Sequence, residues 1–255
     1  IGIQALADTF AMLRIPFVSA EAEKLDLEIA ETIYHAAVTE SAALAQLYGS
    51  HVGFEGSPAS HGILHIDMWE NTHANIQSGL KLHTSGRYDW DAVRELVKHG
   101  LRNAQLLAFM PTVSTSQVMG SNESFEPFDA NIYTKATRAG KFTVLNTAMV
   151  SHLMELGLWN ESICRRIMND GGSMSSVTEI PADVREIYKT VWEIKQSDLI
   201  RRSALRCAYV DQSQSLNIRL ANNSNAHLRA VFIAGWKMGL KTGSYYLRTR
   251  PAVEP

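Results

Sequence analysis

The sequence predicts an α/β fold. Stretches with apolar residues at three- and four-residue steps alternate with short apolar runs, and the boundaries between them fall at capping residues, glycines and prolines. The composition sets the class of chain: 45% apolar and 20% charged residues in 255 are ordinary globular values, enough to build a core and incompatible with disorder. The length admits one large unit or two smaller ones. No internal repeat, low-complexity tract or linker divides the chain, so one domain over 1–255 is expected.

The elements follow in order. Ile3, Leu6, Phe10 and Leu13 give a first helix that Pro16 ends. Ser19 caps a long second helix, with Glu21 and Glu23 in its first turn, and Gly49 stops it. Residues 50–88 are rich in Gly, Ser and His and read as irregular, with a short strand around Ile63 to Met68. Asp89 caps a helix ending before Gly100, and Leu106 to Met110 reads as a buried strand. After Pro111 a Ser/Thr-rich turn leads into a short helix. Ile132 to Thr137 and Lys141 to Leu145 flank a turn at Ala139-Gly140, a hairpin pattern. Asn146 and Asn160 cap two helices, the first ending at Gly157 and the second before Gly171-Gly172. Pro181 sits at a first helical position and opens a helical stretch that runs, with a break near Gln196, to Ala208. Tyr209-Val210 and Ser215 to Leu220 look like strand segments, Ser224 caps a helix ending at Gly239, and Tyr245 to Arg248 is a last strand.

Charge narrows the partners. Lys plus Arg is 24 and Asp plus Glu is 26, a net charge of −2, so no global basic field attracts nucleic acid or an anionic membrane. The longest apolar run, Ala230 to Trp236, is far shorter than the ~20 residues of a spanning helix. Cys164 and Cys207 form no disulfide scaffold and no zinc pattern, and read as reduced thiols of a cytoplasmic protein. No leader-like stretch precedes the first helix, so the sequons at Asn122, Asn160 and Asn222 read as chance. A chain that opens inside a helical period without Met and closes in YYLRTRPAVEP looks like a piece of something longer.

Several patterns invite chemistry and fail. GWKMGLKT, Gly235 to Thr242, has Leu240 where a phosphate loop needs its second glycine; Gly235, Gly239 and Gly243 suit close helix packing instead. His61 and His65 have metal-like i,i+4 spacing, but Gly62 argues against one helix face, which leaves surface or hydrogen-bonded histidines. There is no G-x-S-x-G elbow. Two patterns survive. Thr112, Ser114, Thr115 and Ser116 crowd the mouth of a helix that follows a strand, where free amides and the helix dipole converge. They read either as a phosphate cradle or as a capping cluster. Tyr245 and Tyr246 are adjacent on a strand, where phenols would point to opposite faces; on this pattern they are ordinary strand formers.

The segments IGIQALADTF, EGSPASHGIL, LRNAQLLAFMPTVSTSQVMGSNESFEP, NIYTKATRAGKF, EIPADVREIYKTVWEI, DQSQSLNI and GWKMGLKTGSYYLRTRP together resemble the large, catalytic subunit of class I ribonucleotide reductase in its eukaryotic style. The resemblance covers essentially all 255 residues but only the C-terminal part of that subunit. It implies the second half of a ten-stranded α/β barrel with surrounding helices. It implies radical reduction of ribonucleoside diphosphates to deoxyribonucleoside diphosphates for DNA precursors. The segment Thr112, Val113, Ser114, Thr115 and Ser116 would bind the substrate diphosphate, mostly through main-chain amides. Tyr245 and Tyr246 would pass a radical from a small, metal-containing subunit. The resemblance further implies a large-subunit homodimer in the full-length protein. No cofactor or metal would be bound by this chain, and the ATP-type allosteric effectors would bind outside it. The family's radical cysteine lies in an N-x-C-x-E motif, which neither Cys164 nor Cys207 matches, and HGILH departs from the family in its histidines. The isolated segment would therefore hold a phosphate loop and the end of a radical path without the residue that does the chemistry. The other reading is a non-catalytic homologue or interaction scaffold on the same barrel half.

Overall fold

The structure, a computed structural model, describes residues 1–138, 140–221 and 224–249. Helix α1 (Leu6–Met12) turns Leu6 and Phe10 inward, while Leu13 lies past its end and is exposed. Ser19 starts α2 (Ala20–Tyr48): its hydroxyl accepts the Ala22 amide at 3.0 Å, and Gly49 ends the helix at φ 79°. Leu27, Ala30, Tyr34, Val38 and Ala42 make its buried stripe.

Residues 63–68 form no strand. Gly62 takes the left-handed region (φ 74°) after a short 3-10 turn at Pro58–His61, and α3 (His65–Asn75) follows, with Asp67 accepting the Leu64 amide. The run alternates over a few residues, but Ile66, Trp69 and His73, at steps of three and four, are the buried positions. Asp89 then caps α4 (Trp90–Val97) as its side chain requires.

The segment 106–110 is a strand only in part. Leu107 and Phe109 are buried, but its bridge is the single parallel pair Phe109 to Gln214. Its remaining backbone groups are taken by other partners. The Asp211 carboxylate accepts the Leu106 and Leu107 amides at 2.6 and 2.8 Å. Ile1 donates to the Leu106 carbonyl and accepts from the Ala108 amide, the alternation of a parallel pair. Next come α5 (Val113–Met119) and an antiparallel hairpin of β1 (Ile132–Thr137) and β2 (Gly140–Leu145), paired from Ile132↔Leu145 to Thr137↔Gly140. Ala139 of its expected turn, and Asn222 of the third sequon, lie outside the described residues.

Asn146 and Asn160 cap α6 (Thr147–Glu155) and α7 (Glu161–Asn169). α8 (Ala182–Ile187) begins after Pro181, and the break before α9 (Gln196–Arg206) is longer than expected, spanning 188–195. Tyr209 belongs to a 3-10 turn, Cys207–Tyr209, and not to a strand. Packing explains the apolar β-formers there: its ring lies 6.4 Å from both Tyr34 and Trp90, and its hydroxyl donates to the His83 carbonyl. β3 (Asn217–Leu220) follows, then α10 (Asn225–Lys237), capped by Ser224, and β4 (Tyr246–Thr249).

β3 and β4 pair in parallel, Asn217↔Tyr246 to Leu220↔Thr249. With Ile1, the 106–109 segment and Gln214 they form one wall of extended chain running in one direction, with helices in the connections. This is a partial α/β fold of the expected kind. Lys241 secures the wall at its start, donating to the carbonyls of Val210, Asp211 and Gln212 at 2.6, 2.7 and 3.2 Å.

Candidate functional site

The chain leaves the wall at Met110 and turns at Thr112, whose φ of 55° is left-handed, a strained conformation for a β-branched residue. Three contacts hold it. Its hydroxyl accepts the Ser124 amide at 2.8 Å, and its carbonyl accepts the Ser116 amide at 2.9 Å and the Thr115 hydroxyl at 3.2 Å. The start of α5 leaves the amides of Val113, Ser114 and Thr115 without intrahelical acceptors. Val113, Ser114 and Thr115 are exposed, so these donors open outward with two hydroxyls beside them. Ser116 faces the other way: it is buried, and its hydroxyl donates to the Val113 carbonyl. It lines two adjoining clefts of about 440 and 210 Å³ behind the helix, shared with Gln117, Ser121, Asn122, Tyr133 and Lys135. Three of the five predicted phosphate-loop residues thus form the exposed mouth, half-buried Thr112 makes its turn, and Ser116 supports it from inside.

Strand alternation separates side chains only within the strand, and the tyrosines straddle its first residue. The Tyr245 amide donates to the Leu216 carbonyl at 2.7 Å, and β4 begins at Tyr246. Their rings meet edge to face, centroids 4.3 Å apart at 61°, each about 50% exposed. A side-chain hydrogen bond joins them, and this bond pushes the Tyr245 phenol above its ordinary value. The pair is in contact but not stacked in parallel. The wall connects the two: Phe109, three residues before Thr112, bridges Gln214, and Asn217, three residues past Gln214, pairs with Tyr246.

Charged residues that sequence reasoning passed over surround the pair. Arg219 on β3 is buried and reaches Glu126 at 2.5 Å and Asp129 at 2.6 Å. Burial works against its charge, and the two carboxylates more than offset it, holding the guanidinium above its ordinary range. Burial pushes the Glu126 carboxyl up against the pull of Arg219. Arg248 on β4 lies 3.8 Å from Asp129, with its guanidinium 5.9 Å from the Tyr246 ring centre. The available signal was an arginine inside each of two short strand patterns, next to Ile218 and Leu220 in one and Leu247 in the other.

The remaining candidates resolve as structure. His65 contacts the Cys207 carbonyl at 2.9 Å and the Lys241 ammonium at 3.0 Å; burial, with Lys241 beside it, holds its imidazole below the ordinary value. His61 ends the 3-10 turn, so the two histidines share no helix, and no group of three or more His, Cys, Asp or Glu among the described residues could hold a metal ion. Gly239 ends α10 at φ 72°, where a Cβ would lie 2.8 Å from His73 Nε2, a packing requirement. Both cysteines are free, and burial pushes the Cys207 thiol up. No described helix is long and apolar enough to cross a membrane.

A wall of parallel extended segments with helical crossovers, a helix mouth after one segment and paired phenols at the start of another define a segment of an α/β barrel domain. The chain belongs to the ribonucleotide reductase family: the family model described as "Ribonucleotide reductase, barrel domain" matches residues 1–246. It is 47% identical to a ribonucleoside-diphosphate reductase large chain of Neurospora crassa over all of this chain and 26% of the relative. It is 49% identical to one of Cryptosporidium parvum over all of this chain and 31% of that relative. The chain thus spans about a quarter to a third of the relatives' length. The alpha subunit of an Actinobacillus ureae class Id ribonucleotide reductase shares the fold, with a TM-score of 0.73 and 24% identity over 98% of this chain and 38% of that one.

Proposed function

We propose that this chain is the C-terminal barrel portion of a catalytic large subunit that reduces ribonucleoside diphosphates to deoxyribonucleoside diphosphates. The observation that carries the reading is the 4.3 Å hydrogen-bonded contact of Tyr245 and Tyr246 in a chain nearly half identical to named reductases along its whole length. The mouth offers three amides and the positive end of α5 to the two phosphates. The hydroxyls of Ser114 and Thr115 add further contacts, and Ser116 braces the turn from behind.

The phenol pair moves a radical with no net charge. A Tyr246 phenoxyl takes one electron and one proton from the Tyr245 phenol, leaving a Tyr246 phenol and a Tyr245 phenoxyl. The shared hydrogen bond is the path for the proton. Both rings reach the surface, which suits radical entry at Tyr246 from a metal-containing small subunit. The radical then passes inward to chemistry on parts of the subunit outside this segment. A large-subunit homodimer, nucleotide effectors bound elsewhere and a cytoplasmic setting belong to the same proposal.

In the full-length subunit assayed with its small subunit, Tyr245→Phe and Tyr246→Phe should each abolish turnover while substrate affinity and Tm stay unchanged, since Phe keeps the ring and loses only the oxidisable hydroxyl. Normal turnover in either variant removes that residue from the path.

A further inference from the structure

Arg219 and Arg248 face each other directly across the β3–β4 pair. Like charges in that position repel, and Arg219 already has a buried partner in Glu126 at 2.5 Å. Pairing therefore does not call for a second arginine at 248. Asp129 makes the arrangement tolerable by dividing its carboxylate: Oδ1 lies 2.6 Å from Arg219 Nε, and Oδ2 lies 3.8 Å from Arg248 Nη1. The result is an alternating chain, Glu126, Arg219, Asp129, Arg248, anchored in the core and ending at the surface. Two residues apart on β4, Tyr246 and Arg248 share a face, and the guanidinium lies 5.9 Å from the Tyr246 ring centre, within cation–π reach.

We propose that Arg248 is a positioning residue for Tyr246, held by the chain of Glu126, Arg219 and Asp129 so that a fixed positive charge stands beside the ring during radical passage. The inference rests on the relay reading above. When the Tyr246 phenoxyl takes one electron and one proton from Tyr245, every species is neutral. An electron leaving Tyr246 ahead of its proton would place a cation beside Arg248, which the guanidinium disfavours. The charge therefore enforces joint movement of electron and proton and steadies the ring against Tyr245.

The test uses the full-length subunit in two arms. In the first, 3-nitrotyrosine replaces Tyr246 and its phenol is titrated by absorbance. Arg248→Gln should raise that titration, because a positive charge beside a phenol favours its anion, and Arg248→Lys should restore part of the shift. In the second, with Tyr246 intact, Arg248→Gln should lower kcat at least tenfold at unchanged KM and Tm, with partial rescue by Arg248→Lys. An unmoved probe overturns the proposal whatever turnover does, and a moved probe with wild-type kcat overturns it equally. Normal turnover in Tyr246→Phe would instead remove the relay reading, and the probe titration would still show whether the Arg248 charge reaches the ring.

Discussion

Two polar clusters in this molecule use similar side chains to opposite ends. Between α2 and α9, Asp26 is 1% exposed and receives Arg206 through both oxygens, at 2.9 and 2.6 Å, and Arg202 at 2.8 Å. Gln214 accepts from Arg206 at 2.8 Å, the Phe17 carbonyl accepts from Arg202 at 2.5 Å, and the two guanidiniums lie over Phe125 and Phe17. At the far end of the wall, the helix mouth and the tyrosine pair keep donors and hydroxyls open and half their rings in solvent. The first cluster is closed to solvent and paired throughout except at Arg202 Nε, so its charges serve the fold. The second has spare hydrogen-bonding and redox capacity, which is what a reaction needs.

The largest contrast expected is between Asp26→Ala and Tyr246→Phe in the full-length subunit. Removing Asp26 strands two buried guanidiniums and should cost about 3–5 kcal/mol by urea unfolding. Tyr246→Phe should leave unfolding untouched and abolish turnover; equal effects of both variants on stability would erase the distinction.

At the mouth, Thr115→Pro should weaken nucleoside diphosphate binding by more than tenfold, because it deletes a donor and disfavours the helical conformation of Ser114. The position lies in the first helical turn, where Pro breaks no backbone bond within the helix but removes the Thr115 hydroxyl that holds Thr112, so Tm should fall only slightly against the loss of affinity. Calorimetric titration that finds wild-type affinity would move the phosphate elsewhere.

A pH series sharpens the other side. Burial alone would raise the Asp26 carboxyl, but Arg206 and Arg202 outweigh it and hold it below the ordinary range. A carboxyl depressed in the fold stabilises above its unfolded value of about 3.9 and loses that contribution as pH falls through the folded value. Urea midpoints should therefore drop below pH ~4 in the wild type and flatten there in Asp26→Asn. The smallest effect is Ser114→Ala, about 1 kcal/mol of diphosphate affinity, since amides and not hydroxyls dominate the mouth.

Much of this was legible in advance. Every side-chain cap read from the sequence, Ser19, Asp89, Asn146, Asn160 and Ser224, starts the helix it should, and the hairpin has its expected partners. Caps and turns are local: the residue that makes the bond lies within three of the residue that receives it. The misreadings at Ile63–Met68 and Tyr209 share one cause. A short apolar run is ambiguous between helix and strand, and its resolution lies in what it packs against, Trp69 with His73 in one case and Tyr34 with Trp90 in the other. The 106–110 run has the composition of a strand, yet Asp211, more than 100 residues away, takes two of its amides.

By itself the sequence determined the α/β class, the helix starts, the Ser/Thr mouth after Pro111 and the presence of adjacent tyrosines, because each depends on neighbours in the chain. Only the tertiary structure decided that Ser116 turns inward while Thr115 opens outward, that Tyr245 and Tyr246 touch instead of parting, and that Arg219 and Arg248 share Asp129 beside them. Those outcomes depend on which strand lies next to which and in what register, and on burial that only the assembled wall creates. That pairing is bought with contacts between residues a hundred positions apart, which no local pattern encodes.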